Sequence, residues 1–520
     1  MTREPVTTHP APVEGAVAAP ATIELGLISH TNVGKTTLAR TLLREDIGEV
    51  GDRAHVTEVA ERHLLIESPH GDRLMLWDTP GFGDSARLLK RLKQSENPLG
   101  WILTQVWDRF TDRPFWCSQQ ALRNAREDSH VILYVVNAGE EPASAAYVEA
   151  EMQILGWIGK PIVLLLNQLG PPRDSERVQA DVAQWRAHLA SFPLVRAVLP
   201  FDAFARCWVQ EGVLLAHVQP LLPPELQPAY ARLREAWRVR NLEVFQRSME
   251  ALARQLAVVA TDRELLAPRD LREKARAWLA SLLPGGRSDD VELQRAQRSL
   301  ASRLDAQIRA ATEELVRLHG LVGRATEEVL SGMGREFAVR RPADADKASV
   351  VGGVLSGALG GLAADLAAGG LTFGAGALLG GVLGAFGARG LAQAYNLARG
   401  AEQGSVRWSA EFLNARFAAA LVRYLAVAHF GRGRGEFVAG AAPRHWEEKI
   451  AAATSRRRDA LEDVWAEASE GASAEHVAER LAPLIASAAR EVLIELYPES
   501  ADVFAPLPAA HSRDGSQPGA

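Results

Sequence analysis

The sequence predicts an α/β domain of three layers followed by an all-α region. Three observations predict this order. Short apolar runs alternate with helical patterns over residues 22–222, a small polar loop follows the first apolar run, and a highly charged helical pattern fills most of the second half. Strands that alternate with helices form a largely parallel sheet covered by helices on both faces. The 520 residues are also too many for one hydrophobic core.

Composition excludes several classes of protein. A net charge of −6 with 23% charged residues describes an ordinary soluble surface, and no basic excess indicates nucleic acid as a partner. Cys117 and Cys207 lie far apart in no C-x-x-C or histidine-rich setting, so a reducing, cytoplasmic compartment fits better than a zinc site or a disulfide framework. Residues 1–21 predict a disordered leader without a signal-peptide core, and residues 501–520 predict a disordered tail.

The polar loop has the pattern of a phosphate-binding loop. Ile23 to Ile28 form an apolar run, and Ser-His-Thr-Asn-Val-Gly-Lys-Thr then opens a helix whose free backbone N–H groups would face a phosphate. Lys35 would reach the β- and γ-phosphates, and the Thr36 hydroxyl would hold Mg²⁺. Ser29 stands where the usual pattern has its first glycine. The predicted nucleotide-binding residues of this loop are Asn32, Val33, Gly34, Lys35, Thr36 and Thr37.

A second phosphate-sensing stretch follows a predicted hairpin, His63 to Glu67 and Arg73 to Trp77. Its sequence is Asp-Thr-Pro-Gly-Phe at a strand end, and we expect Asp78 to bind Mg²⁺ through water and the Gly81 N–H to contact the γ-phosphate. Phe82 occupies the position of the water-orienting glutamine of Ras-type enzymes, and an apolar side chain cannot orient water.

Thr57 is the candidate for the third metal ligand. It is the only threonine in the polar connection from Glu45 to Val59, where nucleotide switches use a threonine to complete the Mg²⁺ shell and to sense the γ-phosphate. The alternative is an exposed loop threonine without a metal role.

The rest of the α/β domain contains an insertion and three more strands. Residues 85–129 predict a helical insertion, whose aromatic residues either pack as core or form a partner-binding face. Three buried strands alternate with three helices: His130 to Asn137, Ala143 to Trp157, Pro161 to Asn167, Ser175 to Leu189, Val195 to Leu199 and Gln210 to Leu222.

The base-reading motif departs from the guanine pattern N-K-x-D. Asn167 matches and would bond the base and brace the phosphate loop, and Gln168 would lie over the ring with its aliphatic stem. Gly170 replaces the carboxylate that accepts two hydrogen bonds from guanine, which removes the main discriminator against adenine. Asp174 and Asp202 are the candidate substitutes, and a solvated loop acid is the alternative for each.

These motifs together resemble the Era/TrmE-like branch of P-loop GTPases, in the translation-factor class. The resemblance rests on S-H-T-N-V-G-K-T, Thr57, D-T-P-G-F and N-Q-L-G, and the whole chain resembles bacterial GTPases with a long C-terminal domain of unknown function. It implies that Asn32 helps to coordinate K⁺, which supplies the charge of an arginine finger, and that Phe82 is the hydrophobic substitution of the catalytic glutamine. Lys35, Asn32 and Thr57 are then the catalytic residues, and Thr36, Thr57 and Asp78 the metal ligands.

The second half predicts an α-helical domain over residues 223–500, beginning after Pro223 and Pro224. Apolar residues recur at helical spacing from Leu300 to Val322, a seam that would either pack inside a bundle or drive self-association. Residues 349–388 predict a glycine-rich apolar hairpin with small-xxx-small spacing and the single charge Asp365. This hairpin would either contact a membrane from its cytoplasmic side or be buried in the helical domain.

The sequence therefore predicts a nucleotide switch. The α/β domain would bind GTP with Mg²⁺, hydrolyse it slowly, and transmit the state to the helical domain and to a protein partner that the sequence does not identify. The alternatives are a membrane-associated scaffold that binds nucleotide without turnover, and an ATP-using relative.

Overall fold

The computed structural model describes residues 19–44, 60–98, 100, 112–170, 175–265, 291–321, 405–430 and 443–505. Several stretches singled out in the sequence lie outside these ranges, namely Thr57, Asp174, Val322, the glycine-rich segment 349–388, part of the insertion (101–111), and most of the predicted leader and tail. Their predicted roles stay predictions.

Six strands form one sheet in the order β2-β3-β1-β4-β5-β6. The β2 strand pairs antiparallel with β3, and the other neighbours are parallel, which confirms the predicted fold class. The strands are β1 (Thr22–Ser29), β2 (Glu61–Glu67), β3 (Arg73–Asp78), β4 (Val131–Asn137), β5 (Ile162–Asn167) and β6 (Val195–Pro200).

Helices cover both faces of this sheet because successive strand residues point to opposite faces. The helices of this part are α1 (Lys35–Leu43), α2 (Ser85–Leu92), α3 (Arg113–Glu127), α4 (Ala146–Ile158), α5 (Ser175–His188) and α6 (Trp208–Val218). In β4, Leu133 packs on the side of α1 and α6, whereas Ile132 and Tyr134 pack on the side of α2 to α5. The helices α2 and α3 lie in the predicted insertion 85–129, and Phe115 of α3 is buried in this second core, as the packing interpretation of its aromatics expects.

The described part of the C-terminal half is almost entirely helical. Its helices are α7 (Gln227–Thr261), α8 (Val291–Leu318), α9 (Ala410–Ala428), α10 (Arg444–Ser455), α11 (Arg458–Glu470) and α12 (Ala474–Leu496). A short antiparallel ladder joins β7 (Arg263–Leu265) and β8 (Ser405–Arg407). The segment Ser405–Arg407, inside the region predicted to be helical, therefore forms a strand, and the helix α9 begins at Ala410.

The predicted seam lies on α8 and packs inside the bundle. Its described apolar residues are buried from Leu300 to Leu315, against α7 and α9. The stripe therefore packs inside the helical bundle, which was the first of the two interpretations. The apolar face that self-association would require is covered by α7 and α9 of the same chain.

The helical region and one face of the sheet share a single hydrophobic core. Leu25 of β1, Trp208 of α6, Leu252 of α7, Phe417 of α9 and Leu481 of α12 all belong to one continuous cluster of buried side chains. The helix α7, with 35 residues, is the main connection, since it packs on β2, β3 and α6 as well as on α8 and α12. The α-helical part is thus built onto the α1 face of the sheet.

The ordered part extends beyond the predicted ends. Ala21, assigned to the leader, donates its backbone N–H to Asp72 at 3.1 Å. Pro498–Phe504 forms a 3-10 helix in which Val503 is buried, so the first residues of the predicted tail 501–520 belong to the fold. Ala21 and Val503 are held by tertiary contacts, which composition does not encode.

Candidate nucleotide-binding site

The loop between β1 and α1 requires a left-handed backbone at two positions. Gly34, the residue before α1, has a φ of 85°, and an added Cβ would lie 2.9 Å from Nδ2 of Asn167. Asn32 has a φ of 65°, and asparagine tolerates this region better than most residues. The Asn32 side chain is exposed, whereas Val33 is buried in the core beside α1. The loop therefore turns sharply and presents Asn32 outwards.

Lys35, Thr36 and Asp78 meet at the start of α1. The Lys35 Nζ donates to Oδ1 of Asp78 at 2.7 Å, and the Thr36 hydroxyl donates to Oδ2 of the same carboxylate at 2.8 Å. Lys35 is 6% exposed and Asp78 is 2% exposed, so the two charges compensate each other away from water. Thr37, the next residue, is buried. A cation, a hydroxyl and a carboxylate are thus held together beside the loop.

The stretch after β3 lies against the loop after β1. The backbone N–H of Phe82 donates to the carbonyl of Ser29 at 2.8 Å, and the N–H of Thr31 donates to the carbonyl of Phe82 at 3.1 Å. A Cβ added to Gly81 would lie 3.0 Å from Cα of Thr31, a tight contact that would require the Thr31 backbone to shift by a few tenths of an ångström. The structure brings the two predicted phosphate-contacting segments side by side.

Phe82 is fully buried in the core beneath α2, α3 and α4. Its ring is therefore part of the packing of the second loop and is not available to touch a water molecule at the surface of the site. The next residue, Gly83, donates its N–H to the Ser118 hydroxyl at 3.2 Å, and an added Cβ would lie 2.5 Å from Pro114. The insertion helix α3 is thus in direct contact with the stretch that follows Asp78.

Asn167 connects the first loop with the loop after β6. Its Nδ2 donates to the carbonyl of Val33 at 2.8 Å, and its Oδ1 accepts from the N–H of Ala203 at 2.8 Å. Gln168 has a φ of 58°, and its Nε2 lies 3.4 Å from the position of a Cβ on Gly34. Both residues of the predicted base-reading motif therefore reach the phosphate loop.

Asp202 does not offer a free carboxylate in place of the one missing at Gly170. It is 3% exposed, Oδ2 accepts from the N–H of Leu169 at 2.6 Å, and Oδ1 accepts from the N–H of Phe204 at 2.7 Å. Burial raises the pKa of Asp202, and these backbone donors oppose that shift. Asp202 ties the loops after β5 and β6 together, and its role as a base reader stays a prediction.

The sequence did not reveal the contacts of two buried acids, Asp202 and Glu151, that hold the loops of the site in place. Asp202 was considered only as a base reader, although an acid after a buried strand is also a good acceptor for loop N–H groups. Glu151 of α4 accepts from Nδ1 of His30, which is the second residue of the phosphate-loop pattern. No sequence signal identifies Glu151, since glutamates are common on surface helices and its burial follows from the fold alone.

Within the described ranges, no helix is long and apolar enough to cross a membrane. The glycine-rich segment 349–388 lies outside those ranges, so this finding does not extend to it.

Two parts of the chain match known protein families. Residues 24–168 match a family described as 50S ribosome-binding GTPase, and residues 326–491 match a domain of unknown function, DUF3482. The first match, together with the loop geometry, identifies the α/β part as a P-loop GTPase domain. The helices α7 and α8 lie between the two matched regions. No curated protein matches the sequence.

Solved structures of low identity are also similar to a part of the chain. A variant of Aquifex aeolicus Era bound to GDP and AlF4⁻ has 17% identity and a TM-score of 0.29, and covers 39% of this chain and 57% of its own. Era in complex with MgGDPNP and a segment of 16S ribosomal RNA has 16% identity and a TM-score of 0.29, covering 39% and 58%. A variant of SsGBP has 16% identity and a TM-score of 0.25, covering 40% and 56%. This chain thus spans less than two thirds of each of these chains.

Proposed function

We propose that this chain binds GTP with Mg²⁺, hydrolyses it slowly, and acts as a nucleotide switch for its helical region. The observation that carries the proposal is the junction of Lys35, Thr36 and Asp78 beside a glycine-requiring loop. Lys35 would bind the β- and γ-phosphates, and the N–H groups at the start of α1 would donate to them. Gly81, held against Thr31, would direct its N–H at the γ-phosphate.

The residues present fit a magnesium ion. The Thr36 hydroxyl and the Asp78 carboxylate are both oxygen donors, they lie 2.8 Å apart, and one of them carries the negative charge that a divalent cation requires. Mg²⁺ would neutralise charge on the phosphates during transfer. Thr57 is the proposed third ligand from the sequence.

Hydrolysis requires a device other than a glutamine after Gly81, because Phe82 is buried. Asn32 lies in the loop with an exposed side chain, and its amide oxygen is a suitable ligand for a monovalent cation. We propose that K⁺ bound there supplies the positive charge that stabilises the transferring phosphoryl group.

The contacts of α7 support coupling to the helical region. Arg232 forms two hydrogen bonds with Asp72 at the β2–β3 turn, and Asn241 accepts from Nη2 of Arg44 at 2.6 Å, at the end of α1. These contacts lie on the two sides of the chain segment that holds Thr57, since Arg44 precedes it and β2 follows it. A change in this segment would therefore be transmitted to α7.

Phosphate release from GTP, measured in K⁺ and in Na⁺ with Mg²⁺ present, tests this proposal. We expect slow turnover that is faster in K⁺. Binding of labelled GDP without any turnover in either salt would remove the enzymatic part and leave a nucleotide-binding protein. Absence of nucleotide binding in both salts would remove the proposal altogether.

A further inference from the structure

Glu151 on α4 has a fully buried carboxylate with three hydrogen-bond donors around it. Its Oε1 accepts from Nδ1 of His30 at 2.7 Å and from the Ser85 hydroxyl at 2.5 Å, and its Oε2 accepts from the Tyr134 hydroxyl at 2.5 Å. The donors come from the phosphate loop, from the first residue of α2 and from β4. Burying a carboxylate is costly unless it is hydrogen-bonded, so these donors make the position tolerable.

The Ser85 and Tyr134 hydroxyls donate to the oxygens of Glu151. The contact with His30 corresponds to the tautomer that carries its hydrogen on Nδ1. Burial, followed by the charge of Glu151, raises the pKa of Tyr134 well above its ordinary value and keeps its hydroxyl a donor. The His30 ring also stacks on the ring of Tyr147, with centroids 4.3 Å apart, which fixes its orientation from a second side.

The position of this network relates it to the phosphate-sensing loops. His30 lies between Ser29 and Thr31, whose backbones bond to Phe82. Ser85 lies three residues beyond Phe82, at the start of α2. The carboxylate of Glu151 therefore joins the two loops from the buried side, while the backbone hydrogen bonds join them along their length.

We propose that Glu151 is a positioning residue of the switch. Through His30 and Ser85 it holds the first turn of α2 against the phosphate loop, and it thereby favours the arrangement in which Gly81 lies next to that loop. This inference rests on the proposed function, because only a γ-phosphate gains from that arrangement. GTP therefore benefits from the Glu151 network, and GDP does not.

Two conservative substitutions separate this role from a structural one. Ser85→Ala removes one donor from α2 and leaves the helix cap intact, because the cap is Asp84, which accepts from the Arg87 N–H at 3.0 Å. Tyr134→Phe removes a donor from the same carboxylate, but on β4 rather than on a loop. Each substitution removes one hydrogen bond to the Glu151 carboxylate, but only Ser85→Ala removes the bond that connects α2 to it.

The affinities of a non-hydrolysable GTP analogue and of GDP are measured by titration for both variants of the full chain. We expect Ser85→Ala to lower the ratio of analogue to GDP affinity about tenfold, as for the loss of one hydrogen bond to a charged group. Tyr134→Phe leaves the ratio at the wild-type value. An equal loss for both nucleotides in Ser85→Ala, or the same change of ratio in Tyr134→Phe, would overturn the proposal.

Hydrogen exchange of the nucleotide-free chain tests the positioning role independently of nucleotide. We expect faster amide exchange at Phe82 and over Ser85–Leu92 in Ser85→Ala, and wild-type exchange there in Tyr134→Phe. Unchanged exchange in Ser85→Ala contradicts the proposal whatever the titrations give. If the wild-type chain binds no nucleotide, the proposed function fails, and the exchange rates still decide whether Glu151 holds α2.

Discussion

Arg232, in the second turn of α7, forms a bidentate ion pair with the fully buried carboxylate of Asp72. Its Nε lies 2.7 Å from Oδ2 and its Nη2 lies 2.8 Å from Oδ1. The Ser68 hydroxyl and the Ala21 N–H also donate to this carboxylate, at 2.8 and 3.1 Å. The β2–β3 turn, the beginning of β1 and the helical region are thus joined at one side chain.

This ion pair predicts an acid dependence of stability. Hydrogen bonds from Arg232 hold the pKa of Asp72 well below its ordinary value, although burial opposes the shift. A carboxyl whose pKa is lower in the folded state stabilises the fold above its unfolded pKa of about 4, and this contribution is lost as pH falls further. We expect Asp72→Asn to be less stable than wild type at pH 7, with the difference shrinking below pH 4.

Thermal unfolding at pH 7 and at pH 3 measures this difference. Glu67→Gln is the matched control in the same hairpin, because Glu67 pairs with Arg73 at the surface, where ion pairs contribute little. A difference between Asp72→Asn and wild type that stays constant with pH would contradict the assignment.

The buried Lys35–Asp78 pair predicts that replacing Lys35 alone destabilises the fold and that replacing both residues restores most of the stability. Lys35→Met leaves the buried Asp78 charge without its cation, and we expect a loss of about 3–5 kcal/mol in the free energy of unfolding without nucleotide. The double variant Lys35→Met, Asp78→Asn removes both charges and recovers most of this loss.

Nucleotide affinity follows a different pattern in the same variants. Since Lys35 and Asp78 both serve the nucleotide in the proposed site, we expect both the single and the double variant to lose binding by more than about a hundredfold. Denaturant unfolding and titration with a fluorescent nucleotide give the two quantities. Recovered binding in the double variant would show that Lys35 serves the fold and not the phosphate.

The proposed potassium dependence rests on the side-chain amide of Asn32. Asn32→Gly removes the amide and keeps the left-handed backbone, whereas Asn32→Ala removes the amide and strains the backbone by about 1 kcal/mol. We expect both variants to release phosphate at the same rate in K⁺ and in Na⁺. Loss of the potassium effect in Asn32→Ala alone would assign it to loop geometry, and its persistence in both variants would remove the cation mechanism.

A carboxylate introduced at Gly170 is expected to increase selectivity for guanine. It has a φ of 80°, and Asp202 is occupied with loop N–H groups. We expect Gly170→Asp to raise the preference for GTP over ATP at least about tenfold, because the new carboxylate would accept two hydrogen bonds from guanine. Gly170→Asn has the same backbone requirement without the charge and is the control. Competition of GTP and ATP for labelled GDP measures the preference, and equal behaviour of the two variants contradicts the prediction.

The sequence located the junction of Lys35, Thr36 and Asp78 better than it located the contacts of Asp202 and Glu151. Lys35, Thr36 and Asp78 follow from local patterns, since a strand, a tight turn and a helix start determine where each side chain lies. Asp202 and Glu151 are buried by elements distant in the chain, and no local pattern distinguishes them from surface acids. Their roles became visible only when the donors around them were known.

For the fold, the sequence predicted the strands of the sheet but not how the helical region packs against them. Short, nearly continuous apolar runs defined the sheet, because a strand that is buried on both faces carries apolar residues on both of them. The sequence did not show that α7 and α12 of the helical region contribute to the same core as β1. Periodicity shows that a helix has an apolar face, and it does not show what covers that face.

The core shared between β1 and α12 has a thermodynamic consequence. Two parts that bury each other's apolar surface unfold together, so their stabilities are not separate quantities. A ligand that binds only the folded form adds its binding free energy to the whole cooperative unit, at about 2.7 kcal/mol when its concentration is a hundred times its dissociation constant. Nucleotide bound near Lys35 would thus raise the melting temperature of helices that it never touches.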